Sequence, residues 1–474
     1  MSESLPQHGD RGLAGRTFAA VTALVLIASG LMMAASSVPE SLIRGLSGPA
    51  PGMLEIEVMP AEPDHNVLCM GAGLSYGSGS SDVVTYGAAQ IRVAAKTADL
   101  SKLETTSALD GFSLGGDSSS AFPIFVSQAA ENAPLAAVSY QNLSNLNVRG
   151  LAVAECRNPE FSTWLVGGDT TTGRQAAISI SNPGETSALV DIDIWGLNGP
   201  IYSPLSKGLL VKAGTQRVLS LAGMAPDESA PVVRVSSSGS AVVATLHASI
   251  FRGLEPDGLA VITGQPEPSS DRLIPAVHFP SAELVGLIRA NEGYLDFGNA
   301  IRLLAPQHDA VVALSVLGES GEETVTKLEL TAGQVLDFSL DSIATGDKAI
   351  VVRSSDPVVA AVRQGTGDEG QTDFSWVGSS FTFHGLAALA VPSEGESRIT
   401  FVNPSSGSVA LSFDGRDVEL PPGGTFTRPV SGAHEIVSSA PVAAAVSVRD
   451  SRAIGNFQVL PTPAPQESVS IRVR

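Results

Sequence analysis

Apolar and polar residues alternate along much of this chain with a period of two, the pattern of half-buried β-strands. Val190, Ile192 and Ile194 share one face while Asp191 and Asp193 share the other, and Val409, Leu411 and Phe413 repeat the pattern against Ala410 and Ser412. The pattern also recurs at a larger scale. Ala176–Pro183, Ala300–Pro306 and Arg398–Pro404 are short apolar runs stopped by proline, which cannot continue a ladder. A second run follows each: Val190–Trp195, Val311–Leu317 and Val409–Phe413. Then come the turn pairs Asn198-Gly199, Ser320-Gly321 and Asp414-Gly415, which predict hairpins. Next are Gly214, Gly333 and Gly424, each ending an extended run, and the closings Ser237–Ala244, Ser354–Ala361 and Ser438–Ala445. Landmarks in one order, three times over, predict three copies of a β module. Val243, Val359 and Ala443 are then equivalent and buried.

One segment breaks the pattern. Thr17 to Pro39 carries no charge, and such a run is long enough to cross a hydrocarbon core of about 30 Å as a helix. Arg11 and Arg16 precede it and Glu40 is the first acid after it, so the bulk is expected outside the cell membrane. The alternative is a signal peptide cleaved near Ser36, although the apolar stretch is longer than the about 7 to 15 residues of such a core.

No later stretch carries a helical period over three turns. The expected fold is all-β: tandem β-sandwich (Ig-like) modules after one N-terminal transmembrane helix, with a propeller as the runner-up. The expected organisation is a cytoplasmic N-terminus at 1–16, a transmembrane helix at 17–39 and a stalk at 40–52. An N-terminal β domain follows at 53–158, then β modules at 159–263, 272–364 and 373–459, and a C-terminal tail at 460–474. Gly264–Asp271 and Gly365–Thr372 read as linkers from their Pro, Ser, Gly and acid content. The terminal SIRVR reads as a candidate edge strand.

Composition adds three points. The net charge of −20 comes from scattered acids, and clustered Lys and Arg are lacking, so nucleic acid is excluded as a partner. With 43% apolar residues the chain is not disordered. Cys69 and Cys156 are the only cysteines, and in an exported chain such a pair is expected to form a disulfide.

Candidate chemistry is thin. Gly73-Leu74-Ser75-Tyr76-Gly77 matches G-x-S-x-G, but Ser78–Asp82 continues as a turn sequence where a nucleophile elbow needs a helix. The seven histidines show no metal-ligand spacing, and His278 and His384 occupy similar places in the repeat, which favours structural roles. Asp191 and Asp193 belong to no calcium loop. No catalytic residue, metal or cofactor is expected. Sugar binding would need aromatic platforms, for which Trp164 and Trp376 are the candidates, although plugging a core is the competing role.

The stretch Cys156 to Gly199, with its Trp–Gly-Gly–Thr segment leading into Asn-Pro repeats, resembles an actinobacterial family of unknown function. The resemblance implies one N-terminal membrane segment before an exported all-β part. It also implies genes beside a glycosyltransferase, hence a link to envelope glycan assembly. It brings no catalytic residues. The expected function is a membrane-anchored, extracytoplasmic, non-catalytic envelope scaffold or interaction protein. Its expected partners are envelope proteins, a glycosyltransferase among them. An exported carbohydrate-binding protein is the alternative, and a hydrolase with an unrecognised site is a third reading.

Overall fold

The computed structural model describes residues 54–58, 65–71, 73–76, 83–87, 89–95, 103–107, 124–128, 134–146, 148–318, 321–462 and 469–473. The expected cytoplasmic segment, transmembrane helix and stalk lie outside these residues. Among the described residues no helix is long and apolar enough to cross a membrane. The chain divides into two compact units, one of which joins Met1–Ala61 to Gln466–Arg474. In that unit Leu54–Val58 pairs antiparallel with Val469–Val473, so the terminal sequence is a strand. The other unit, Glu62–Pro465, holds everything described below.

Among its described residues this unit is all-β apart from a short helical turn and one two-turn helix, Ala282–Arg289, whose N-terminus is capped by the Ser281 hydroxyl accepting from Leu284 N. Three stretches build the same two-layered module. In the first module one sheet pairs Ser162–Val166, Val232–Ser238 and Ala188–Gly196 in that order, with Gly199–Ile201 and Leu209–Val211 on the outer edge. The other sheet runs Thr215–Ser220, Arg174–Asn182, Val243–Arg252, Glu255–Ile262. Leu165, Ile192 and Val233 of one sheet and Ile178, Ile180 and Leu246 of the other share a single core.

The second and third modules keep this order with one change. A single long strand, Gly346–Asp368 or Ala433–Arg449, runs through both layers. Its first half pairs with Ala310–Gly318 or Val409–Phe413, and its second half pairs with Ala300–Leu304 or Glu396–Val402. Pro357 and Pro441 sit where the strand changes partner, each within a register shift against the neighbouring strand. Proline is tolerated at such a break because no regular ladder bond is required of its nitrogen.

The immunoglobulin-like expectation is corrected by this order. In an immunoglobulin sandwich the second and penultimate strands lie in opposite sheets, whereas here Arg174–Asn182 pairs directly with Val243–Arg252. The chain changes sheet between Val232–Ser238 and Val243–Arg252, as the long strands of the other two modules do without a break, and so arrives beside the second strand. The linker expected at Gly365–Thr372 is also corrected. Gly367 pairs with Thr372 and Asp368 with Gln371, closing a hairpin in which Asp368 Oδ1 accepts from Gly370 N and Gln371 N. Gln371–Gly378 is therefore the last strand of the second module, not the opening of the third expected from residue 373. At Gly264–Asp271 the connection is shorter than expected: Gln265 bridges to Trp164, and Ser269 already begins a strand.

The repeat reading holds in detail. Val243, Val359 and Ala443 pair with Ser181, Leu304 and Val402, each the residue before the loop that ends the second strand. They are 8%, 0% and 0% exposed. Cys69 and Cys156 are bonded, with Cα atoms 4.1 Å apart. Around this bridge three smaller sheets build the N-terminal part, one of them pairing Gln90–Ala95, Leu135–Ser144 and Arg149–Glu155.

The modules are not strung like beads. Arg149–Glu155 packs on Glu255–Ile262, that strand on Gln371–Gly378, that strand on Ile454–Gln458, and the last returns to Arg149–Glu155. These four strands close a cycle, as the inner strands of a propeller do, but the two-layered modules have no meander order. Asp373 sits at the meeting point, 1% exposed. Its Oδ2 accepts from Leu151 N at 2.9 Å and Ile454 N at 3.0 Å, and its Oδ1 accepts from Leu259 N at 3.1 Å. One carboxylate of the second module thus joins the other three parts of the cycle.

Candidate functional site

A cavity of about 210 Å³ opens between the first and second modules. Ala248 and Ile250 line it from the first module, and Phe374 and Trp376 line it from the second. The strand Val243–Arg252 alternates there. Ala248 and Ile250 belong to the module's own core, while Thr245, His247 and Ser249 lie on the opposite, equally buried side. The insertion carrying Ala282–Arg289, which the first and third modules lack, supplies Asp296. Val285, Ile288 and Phe297 form its small core, and Arg289 Nε donates to Phe297 O at 2.6 Å.

Six charged side chains line the cavity: Arg174, Arg302 and Arg363 against Asp169, Asp296 and Asp337. Arg302 is fully committed. It donates to both Asp337 oxygens at 2.8 Å and to the backbone oxygens of Gly168, Pro231 and Ser229, while its guanidinium lies 4.5 Å from the Trp376 ring centroid. Asp296 accepts from Arg174 at 2.6 Å and from Arg252 at 2.8 Å. Burial works to raise the Asp296 carboxyl, but Arg174 and Arg252 hold it below the usual carboxylate range.

Arg363 differs from its neighbours. Its Nη2 donates to the Asp296 backbone oxygen, and among the described residues it forms no salt bridge. Burial pulls its pKa below the ordinary guanidinium value, which Asp296 and Asp337 partly offset and Arg302 and Arg174 reinforce. Ser249, on the opposite face of its strand, is 4% exposed, and its hydroxyl has no hydrogen-bond partner among the described residues.

The sequence candidates lie elsewhere or serve the packing. Trp164 is 3% exposed, stacked on Trp195 with ring centroids 5.1 Å apart, and its Nε1 donates to Glu267 at 2.8 Å. Trp376 is 6% exposed between Arg302 and Gly167, where an added Cβ would lie 2.7 Å from the indole. Both rings are thus buried at joints of the fold, where the core-packing role also places them. Trp376 also lines the cavity. Gly73–Tyr76, which contains Ser75, is a strand paired antiparallel with Val83–Tyr86, the next element among the described residues.

His278 bonds Asp347 at 3.0 Å, and Asp347 also accepts from Arg449 at 2.9 Å, tying the second module to the third. His384 lies exposed at the register shift between Phe383 and Gly385. Asp191 accepts from Gly208 N at 2.8 Å and Asp193 pairs with Lys207, so the two acids hold one loop. Among the described residues no group of three or more His, Cys, Asp or Glu is placed to hold a metal.

Sequence reasoning missed Arg302 and Arg363. Their signal was present, since each is the one charge within an apolar strand, AIRLL and VVAAVRQ. A charge in such a run is buried and paired, or it faces something.

Comparison with known proteins adds little about activity. No curated protein matches the chain. Among solved structures, the FN1-FN3 domains of chicken CNTN1 align at 10% identity over 67% of this chain and 100% of that one, with a TM-score of 0.09, which carries no argument about fold. A family model described as a family of unknown function (DUF5719) matches residues 114–419.

Proposed function

The chain belongs to this family of unknown function, and from a membership that carries no activity we propose that it is a membrane-anchored, extracytoplasmic, non-catalytic scaffold. It holds envelope proteins, a glycosyltransferase among them, in the cell envelope of an actinobacterium and supports glycan assembly there. Residues 17–39 are its anchor, and its three modules are tandem sandwiches of one common design. The carrying observation is the joint at Asp373, which binds backbone amides of three other parts of the chain. Modules locked in this way keep their outer surfaces at fixed spacings, as a scaffold requires, whereas flexibly linked modules would not.

Cross-linking from exposed positions such as Leu189 and Leu210 in native membranes tests this reading. The expected result is one dominant membrane partner, a glycosyltransferase, with a deficit of envelope glycan when the chain is deleted. Normal glycan content in the deletion strain, or turnover of a glycan by the purified chain, would overturn it. An exported carbohydrate-binding protein is the second reading, and the cavity between the first two modules favours it.

A further inference from the structure

We propose that two copies of this chain pair about a two-fold axis through the outer face of the first module, along a strip of exposed leucines. The inference goes beyond the scaffold reading and does not rest on it. The repeat itself supplies the comparison. At the edge of each module's outer sheet Ala188 pairs with Val211, Ala310 with Leu330 and Val409 with Leu420, and all of these are buried. One residue along, on the opposite face, the pairs are Leu189 with Leu210, Val311 with Glu329 and Ala410 with Glu419. A solvated sheet face carries a charge at this place in the second and third modules, where Glu329 and Glu419 are exposed. The first module carries two leucines there, 50% and 51% exposed. Its edge differs too. The edge is one strand in the other modules, Gly321–Leu330 and Arg416–Leu420, but in the first it is split by residues 202–208. Gly208 N donates to Asp191 and Lys207 pairs with Asp193, which holds this connection against the outer face and leaves Tyr202 and Leu205 exposed beside the leucines. Large apolar side chains gathered in this way mark an interface.

Charge selects the occupant. The chain carries 48 acids against 28 bases, so two copies repel over most of their surface. Around the strip the signs balance. Lys207 matches Asp193. Arg217 donates to Leu210 O, Lys212 follows the edge strand, and Asn182 ties Val211 to the loop that carries Glu185, so these two bases stand with Glu185 and Asp191 around the leucines. A strip of one sign would select a partner of the other sign. A neutral, apolar strip fits a second copy of itself, each copy's leucines lying against the other's as the faces of two sheets pack.

Leu210→Glu installs the residue type that the other two modules carry at this position. Sedimentation of the full-length chain in detergent, over a dilution series, is expected to show a reversible dimer of the wild type. Leu210→Glu should weaken that dimer about a hundredfold, or tenfold for each copy that buries the charge. Leu210→Cys provides a free thiol, since Cys69 and Cys156 are bonded, and a short bis-maleimide should join two copies through it. Val311→Cys, at the equivalent place in the second module and equally exposed, should give no such product. Links between two copies through Leu189 or Leu210 are then expected beside any link to another envelope protein. The unfolding midpoint shows whether Leu210→Glu has folded, and if it has not, the wild-type dimer and the two cysteine variants decide. A wild type that stays monomeric up to about 100 μM, an undiminished dimer in a folded Leu210→Glu, or equal cross-linking from Val311→Cys would each overturn the proposal.

Discussion

Asp373 and His247 show how much of this protein rests on single buried polar groups. Burial pushes the Asp373 carboxyl well above the usual carboxylate range, and the backbone N–H groups of Ile454, Leu151, Leu259 and Phe374 pull it back. Asp373→Ala removes the acceptor from those amides while leaving them buried. At about 1–3 kcal/mol for each stranded donor, a loss of about 3–5 kcal/mol is expected, read as a lower urea midpoint, with Asp373→Asn falling between. His247 is buried beside the N-terminal part, accepting from Leu74 N at 3.3 Å, and burial lowers its pKa to about 4. The folded chain refuses a proton that the unfolded chain binds near pH 6.5. The stability that neutral His247 permits is therefore intact above pH 6.5 and is lost as pH falls towards 4, by about 3 kcal/mol in all. His247→Gln should flatten that slope in urea unfolding measured between pH 7 and pH 4. A slope equal to that of the wild type would show that another group titrates. Sequence could not identify Asp373, because its partners are backbone amides that any residue would supply, 81 to 222 positions away.

At the scale of elements, alternation was legible where one face of a strand meets solvent and misleading where neither does. Val358, Ala360 and Val362 face the second module's own core, while Val359 and Ala361 join the core of the first. Burial on both faces explains the unbroken run Pro357–Val362, and Pro441–Val446 in the third module follows the same rule. Composition misled at Gly365–Thr372, because a hairpin tip uses the same glycines and acids as a linker. The Asn-Pro stops carried more than a break in pairing. Asn182 Nδ2 donates to Thr186 O and Val211 O, and Asn403 Nδ2 donates to Gly407 O and Leu420 O, so both asparagines tie the same loop to the same edge strand. Two glycines separate local conformation from packing. Asp414 and Gly415 adopt φ of 50° and 74° in a two-residue hairpin, and a Cβ on Gly415 would meet nothing within 4 Å. Gly150 has φ of 134°, and a Cβ there would lie 2.5 Å from Leu259 N and 2.6 Å from Asp373 Oδ1. Gly415→Ala should cost about 1–2 kcal/mol, the price of a left-handed residue. Gly150→Ala should lower the thermal midpoint much further, because backbone in the central joint must move. Equal midpoints would contradict that account of the joint.

For the whole molecule, the disulfide and the cycle of closing strands make one body of the N-terminal part and three modules. Cys69 and Cys156 are 87 positions apart, so replacing both by Ser releases a long loop and should cost about 4–5 kcal/mol at most. Urea unfolding with and without reductant measures this directly. A wild-type midpoint unmoved by reduction would show that packing alone holds the N-terminal part. The sequence by itself determined the β class, the three-fold repetition and the cysteine pairing, because each depends on local period, recurring turn residues or the count of one residue type. Only the tertiary structure decided the strand order, the closing of the modules into a cycle, the enclosure of Trp164 and Trp376, and the meeting of Arg302, Arg363 and Asp296 around one cavity. Those features depend on which faces of distant strands come together, and a strand's own period states that a face is buried without naming what buries it.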